Sequence, residues 1–191
     1  MQITSEFEVR ESPERVWDFF NNIPAVAASL PGADISEQVD EDSYRGTVVV
    51  ALGPVRLNFA GEANVIERDE ASRRIVVDAS GSDAKGRGQA AMVLTAQVEP
   101  SAMGSKVMVD QDLQLSGAAA QYGRGMVQDV TAVLLDQFAS NMKAQLGATE
   151  SGEEVTFAPR SASGFSIGLK AIWMALKRVA RRFFLPYEPV T

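Results

Sequence analysis

The chain has 191 residues, 18 Lys and Arg against 25 Asp and Glu, and a formal net charge of −7. It contains no Cys and no His, which excludes thiol nucleophiles, disulfides, thiolate or imidazole metal sites, and imidazole acid–base catalysis. The length suits one domain of about 150 residues with an appendage. The first residues, MQITSEFEVRES, do not have the pattern of a secretory signal, so we expect a cytoplasmic protein.

Charge is distributed unevenly along the chain. Residues 1–159 carry 12 basic and 24 acidic side chains, whereas residues 160–191 carry six basic ones and a single acid, Glu188. Such asymmetry is typical of a domain with an interaction tail rather than of two globular domains.

The first fifth of the chain predicts one strand followed by two short helices. Apolar and polar residues alternate over residues 3–9, which is typical of a strand. In SPERVWDFFNN, Ser12 is the expected N-cap and Pro13 the first helical residue. The segment IPAVAASLPGA predicts a second short helix, which the Pro-Gly pair ends.

The next eighty residues predict an antiparallel sheet. Apolar residues recur with a period of two, and turn-forming residues separate the runs. In the last run Val107, Gln111 and Leu115 share one face, whereas Asp110 and Asp112 share the other. One covered and one solvated face are expected of an antiparallel sheet. The predicted strands cover residues 36–39, 43–52, 55–67, 73–80, 87–99 and 105–115.

After residue 117 the apolar period changes to 3.6, which predicts a helix of roughly thirty residues ended by Gly147. The predicted fold class is α+β: a curved antiparallel sheet that grips one long C-terminal helix. Because such a sheet and helix diverge at one end, we expect a cavity between them. Its predicted ligand-binding residues are those on the inward faces: Met92, Leu94, Val109, Leu113, Tyr122, Gly125, Met126, Val130 and Leu134.

Gly123 and Gly125 fall at the start of the predicted long helix, where glycine costs roughly 1 kcal/mol per residue relative to alanine. We expect them to permit a close approach, either by the sheet, which we favour, or by a bound molecule.

The domain prediction places a cavity domain at 1–146, a flexible linker at 147–164 and an amphipathic basic helix at 165–185, with a short tail to 191. The linker is small and polar, without periodicity. The last segment has an apolar and a basic helical face, and its charges argue against a transmembrane helix. This pattern is typical of a helix lying in a membrane interface. The predicted membrane-binding residues are Phe165, Leu169, Lys170, Ile172, Trp173, Leu176, Lys177, Arg178, Arg181, Arg182, Phe183 and Phe184.

Two alternatives for the basic helix remain open: a groove of a partner protein, or the surface of its own domain. Nucleic acid is disfavoured, because binding would leave the apolar face exposed beside an acidic body. We therefore expect an anionic membrane surface as partner and no nucleic acid.

Other short motifs favour structural roles. GSDAKGRG, residues 81–88, lacks the Lys-Ser/Thr of a phosphate loop and precedes a strand pattern, so we interpret it as a hairpin. Asp110 and Asp112 share a face opposite the core and are expected to be solvated. No metal site or nucleophile–base pair emerges, and we expect a non-catalytic protein without a metal or covalent cofactor.

Residues 1–146 resemble the CoxG family of carbon monoxide dehydrogenase proteins, within the START/Bet v 1-like helix-grip superfamily. The resemblance implies a hydrophobic cavity under the long helix. It also implies association with an aerobic molybdenum-containing carbon monoxide dehydrogenase, as an accessory or membrane-recruiting protein, although relatives occur beside other molybdenum hydroxylases. The segments that carry it are SPERVWDFF, LPGA, LGPVRLNFAGEANV, SGSDAKGRGQAAMVL and LSGAAAQYGRGMVQDVTAVLLDQFASNMKAQL.

Our functional hypothesis is a cavity domain, peripheral on the inner face of the cell membrane, that helps the dehydrogenase pass electrons to the respiratory chain. The expected ligand is an apolar, membrane-derived molecule, with an isoprenoid quinone as first candidate. The alternatives are a recruitment adaptor whose cavity is filled by its own side chains, and a lipid-binding, cyclase-like or hydrolase-like helix-grip protein.

Overall fold

A computed structural model describes residues 1–151 of the chain, and the side chains of residues 1–148. The predicted amphipathic helix 165–185, its membrane-binding residues and most of the predicted linker lie outside the described residues. The elements are β1 (Gln2–Val9), α1 (Pro13–Asn21), α2 (Ile23–Ser29), β2 (Ala33–Gln38), β3 (Ser43–Leu52), β4 (Val55–Asp69), β5 (Arg74–Asp83), β6 (Gln89–Ser101), β7 (Gly104–Leu115), a 3₁₀ turn (Gly117–Gln121) and α3 (Arg124–Ser151).

The seven strands form one antiparallel sheet in the order β1-β7-β6-β5-β4-β3-β2. Each neighbouring pair except β1 and β7 is consecutive in sequence, so the N-terminal strand closes the sheet by pairing with the last one. The predicted α+β class and all predicted strands are confirmed, although β2 begins three residues early, where Ala33 pairs with Val48.

A row of glycines produces the strongest bend of the sheet. Gly46 pairs with Gly61, and Gly61 with Gly81, across β3, β4 and β5. A Cβ atom at Gly61 would lie 1.9 Å from the carbonyl oxygen of Ser80, and one at Gly46 would lie 2.3 Å from that of Asp34. Only glycine permits this backbone approach, and the sheet therefore curves towards the side that carries the helices.

The two short helices have the caps that the sequence predicts. The Ser12 Oγ accepts a hydrogen bond from the N–H of Arg15 at 3.4 Å, and Pro13 occupies the first turn of α1. Asn22 caps α2 by accepting from the N–H of Ala25 at 3.2 Å. The capping side chains satisfy N–H groups that have no partner within the helix.

The long helix differs from the prediction at both ends. A 3₁₀ turn precedes it, because Gly117 adopts a left-handed φ of +66° and Tyr122 is extended, so α3 begins at Arg124. Gly147 does not end the helix, which continues to Ser151. Its φ is not left-handed, and burial of the neighbouring Leu146 helps to offset the cost of a glycine in a helix. The first residues of the predicted linker are therefore helical.

Buried apolar side chains form two separate clusters. In the first, Phe138 of α3 packs edge-on against Phe7 and Phe19, with ring centroids 6.3 Å apart in both pairs. The second cluster lies towards the start of α3, around Leu57 and Val130. The first comprises Val9, Val16, Trp17, Phe19, Phe20, Val65, Ile75, Ala96, Val98, Val107, Val109, Phe138, Met142 and Leu146, and the second Leu52, Leu57, Ala119 and Val130.

Candidate ligand-binding site

The middle of the concave sheet face belongs to neither cluster. Pairing places Ala79 of β5 beside Met92 of β6, and Met92 beside Leu113 of β7, all on the same face as the clusters. These apolar side chains are only partly buried and belong to neither cluster. In a close-packed core such central positions are fully buried. The partial exposure indicates open space between the two clusters.

The position of α3 gives the same indication. Its Cα atoms approach those of α2, β1 and β3, at the flanks of the sheet, more often than those of the middle strands β4 to β7. The helix is therefore supported at its sides and stands away from the centre of the curved sheet. The candidate site is this space between α3 and the concave face.

The structure divides the predicted ligand-binding residues among different environments. Met92 and Leu113 face the open space. Val109 is 3% exposed within the first cluster, against which Leu94 packs. The remaining inward-facing ones belong to the second cluster or pack against it: Tyr122, Val130 and Leu134.

Two expectations for the start of α3 are wrong. Met126 is 42% exposed and Val127 is 5% exposed, so Val127 occupies the inward position that we assigned to Met126. The helix begins later than expected, and the Gly123 carbonyl accepts the N–H of Met126 at 3.0 Å as part of its first turn. A Cβ atom at Gly123 or Gly125 would meet nothing within 4 Å, so packing against the sheet does not explain these glycines.

The sequence analysis missed the contribution of β3 and β4 to the site. Leu52 and Leu57 are almost completely buried in the second cluster, and Phe59 packs against it. Gly53, with a φ of +60°, and Pro54 form the tight turn that joins the two strands. The alternation on either side of this Gly-Pro pair was the signal that could have placed these residues on the inner face.

A buried ion pair closes the β5–β6 hairpin. The carboxylate of Asp83, whose side chain is completely buried, accepts hydrogen bonds from Arg87 Nε at 2.8 Å and Nη2 at 2.9 Å. The Arg87 guanidinium, followed by backbone N–H donors, holds the pKa of that carboxyl well below its usual range. Arg87 Nη2 also donates to the carbonyl of Arg56 at 2.6 Å. The GSDAKGRG segment is thus a hairpin, as predicted.

The opposite, convex face carries a depression of about 530 Å³. Its side chains are small or polar, and Glu62 there accepts a hydrogen bond from Arg45 at 2.9 Å. This lining does not suit an apolar molecule. Asp110 and Asp112 are also on the convex face, as predicted, where they accept hydrogen bonds from Thr4 and the N-terminal amine.

Within residues 1–151 no helix is long and apolar enough to cross a membrane. The same part of the chain contains no cluster of three or more acidic side chains that could hold a metal ion.

Residues 5–147 match the family model for CoxG, a component of carbon monoxide dehydrogenase. The chain belongs to this family. The match covers nearly the whole described domain and links it to carbon monoxide dehydrogenase, which confirms the predicted family. Comparison with curated protein sequences gives no match.

Solved structures share the fold of this CoxG family member at low sequence identity. A conserved protein from Geobacillus kaustophilus superposes with a TM-score of 0.70 at 14% identity, covering 78% of this chain and 97% of that one. TTHA0849 from Thermus thermophilus gives 0.57 at 14%, covering 78% and 99%. Ara h 8.0201 gives 0.52 at 15%, covering 78% and 98%. These likenesses confirm the START/Bet v 1-like helix-grip fold.

Proposed function

We propose that this protein is a non-catalytic accessory protein that recruits an aerobic molybdenum-containing carbon monoxide dehydrogenase, or a related molybdenum hydroxylase, to the inner face of the cell membrane. We further propose that the space under α3 binds an apolar small molecule, an isoprenoid quinone, for electron transfer. Membership of the CoxG family supports the partner. The open space between the two core clusters is the observation that carries the ligand.

The chemistry of this space supports an apolar occupant. Ala79, Met92 and Leu113 offer it hydrocarbon surface, and each Å² that a ligand removes from water stabilises the complex by about 25 cal/mol. Folding has already left this surface partly exposed, so a ligand gains the burial without opening a packed core.

A quinone fits the proposed task because the electron acceptor of a respiratory chain is dissolved in lipid. A soluble dehydrogenase has no direct access to it. A protein that combines an apolar binding space with a membrane-binding segment would bring the acceptor and the enzyme together. The segment proposed for membrane binding is the basic helix 165–185, in which each Lys or Arg near an anionic leaflet contributes about 1 kcal/mol.

The ligand is tested by identifying what the full-length protein carries. The protein is purified from a quinone-producing bacterium, extracted with organic solvent and analysed by mass spectrometry beside a matched variant, Ala79→Phe, in which the space is partly filled. We expect an isoprenoid quinone in the wild-type extract and much less in that of the variant. Equal extracts, or no apolar molecule in either, would reject the ligand and leave the recruitment adaptor.

Recruitment is tested separately. Purified carbon monoxide dehydrogenase is mixed with anionic liposomes, with and without the full-length protein, and sedimented. We expect the enzyme to sediment only when the protein is present. Sedimentation that is the same in both mixtures would reject the recruiting role.

A further inference from the structure

Most polar side chains on the concave face of the sheet have partners within the protein. The hydroxyl of Tyr44 donates to the carbonyl of Glu41 at 3.1 Å, and that of Ser105 donates to the carbonyl of Glu11 at 2.7 Å. Asp83 is held by Arg87. This follows the general rule that buried polar groups are hydrogen-bonded.

Gln111 and Ser5 depart from this rule. Gln111 follows Val109 and precedes Leu113 on the inward face of β7, and its amide makes no hydrogen bond to any residue within 1–151. The hydroxyl of Ser5 likewise has no partner in that part of the chain. Both side chains are only partly buried, so their polar atoms adjoin the open space.

The register brings these two groups together. Ser5 of β1 lies directly opposite Val109, and Gln111 is two residues further along β7. Such diagonal neighbours are roughly 7–8 Å apart, within reach of a long side chain. Gln111 thus lies between the packed first cluster and the open space, with Ser5 beside it, on a surface that is otherwise apolar.

We propose that the amide of Gln111, together with the hydroxyl of Ser5, binds the polar ring substituents of an otherwise apolar, uncharged ligand. The proposal rests on the function proposed above, because it requires a ligand in the space under α3. An unpaired amide in an apolar environment is costly, and a ligand oxygen in reach of it removes that cost.

The chemistry of the two groups selects the class of ligand. An amide and a hydroxyl each donate and accept hydrogen bonds, so they match the carbonyls of a quinone and the hydroxyls of a quinol equally. Neither carries a charge. The cation nearest to the second cluster, Arg87, is engaged with Asp83, so a fatty-acid carboxylate would lack a counter-ion here. The pair therefore favours a neutral ring compound over an anionic lipid.

The experiment compares two probes on the full-length chain: decylubiquinone, and decylbenzene, which has a similar chain but no ring oxygens. The variant Gln111→Leu removes the amide and keeps an apolar side chain of similar volume. We expect its affinity for decylubiquinone to fall about five- to tenfold, as for the loss of one hydrogen bond, and its affinity for decylbenzene to change less than about twofold. Its thermal midpoint should be equal to or above that of the wild type.

Matched variants separate the outcomes. Gln114→Leu, on the opposite face of the same strand, should leave both affinities unchanged, and Ser5→Ala provides a second variant of the pair should Gln111→Leu not fold. If wild-type protein binds decylubiquinone and both variants of the pair bind it equally well, the assignment of Gln111 and Ser5 is wrong while the ligand-binding function stands. If the wild type binds neither probe, both proposals fail.

Discussion

Arg87 holds Asp83 through two of its guanidinium nitrogens, Nε at 2.8 Å and Nη2 at 2.9 Å, at a carboxylate that is otherwise enclosed by protein. The same carboxylate accepts hydrogen bonds from the backbone N–H groups of Asn58 at 2.9 Å and Lys85 at 3.1 Å. One side chain therefore connects β4, the end of β5 and the hairpin that leads into β6.

Replacing Asp83 with Asn should destabilise the domain strongly, because it leaves the guanidinium of Arg87 next to a neutral amide in a buried position. We expect the thermal midpoint to fall by roughly 5–10 °C, measured by circular dichroism. Asp78→Asn, an exposed carboxylate on the same strand, is the control and should change the midpoint little. Equal midpoints for the two variants would contradict the assigned role of Asp83.

The pH dependence of stability should report the same carboxylate. The pKa of Asp83 is lowered by folding, chiefly by Arg87, so its stabilisation is fully present above the pKa of about 4 that an unfolded Asp has and is lost as pH falls further. In urea unfolding between pH 7 and pH 2.5, the gap in free energy between wild type and Asp83→Asn should narrow below about pH 4. A constant gap would show that the ionised form of Asp83 does not stabilise the fold.

Filling the space under α3 should cost ligand binding rather than stability. Ala79 faces this space, so Ala79→Phe should keep a cooperative transition within a few degrees of the wild type while binding of decylubiquinone falls strongly. Val130→Trp, at a position only 6% exposed in the second cluster, should instead destabilise by about 1–3 kcal/mol. Calorimetry and ligand titration on both variants test this. A large loss of stability in Ala79→Phe would mean that the concave face is already packed.

The glycine row should tolerate no side chain. Gly61→Ala should lower the free energy of unfolding by several kcal/mol or prevent folding, because the new methyl group would overlap the carbonyl of Ser80. Gly125→Ala, where a Cβ atom meets nothing within 4 Å, should be neutral or slightly stabilising. Chemical denaturation of both variants tests the contrast, and similar free energies would argue against the close approach at Gly61.

Membrane binding should depend on the segment that follows α3. A chain that ends at Ser151, the last residue of the helix, should fold and no longer sediment with anionic liposomes. Replacing Arg178, Arg181 and Arg182 with Glu in the full chain should remove about 3 kcal/mol of attraction, and high salt should weaken binding of the wild type. If the shortened chain sediments as well as the full one, the membrane-binding surface lies within the domain.

The sequence by itself determined the elements and the inward face of each strand, because both depend on local chemistry. Alternation placed Met92 and Leu113 on the concave face, and Ser12 and Pro13 marked the start of α1, since a cap requires only the next few residues. Part of the candidate site followed from this alone.

Only the tertiary structure decided which inward residues are packed and which face open space. Val109 and Met92 have equivalent positions in their strand patterns, yet Val109 is buried in the first cluster and Met92 is not. The difference arises because α3 contacts the flanks of the sheet more closely than its centre, and no local pattern encodes that distance. The same holds for Gly61 and Gly81, whose pairing across two strands bends the sheet. Such relationships depend on residues far apart in the chain, and a local sequence pattern does not specify them.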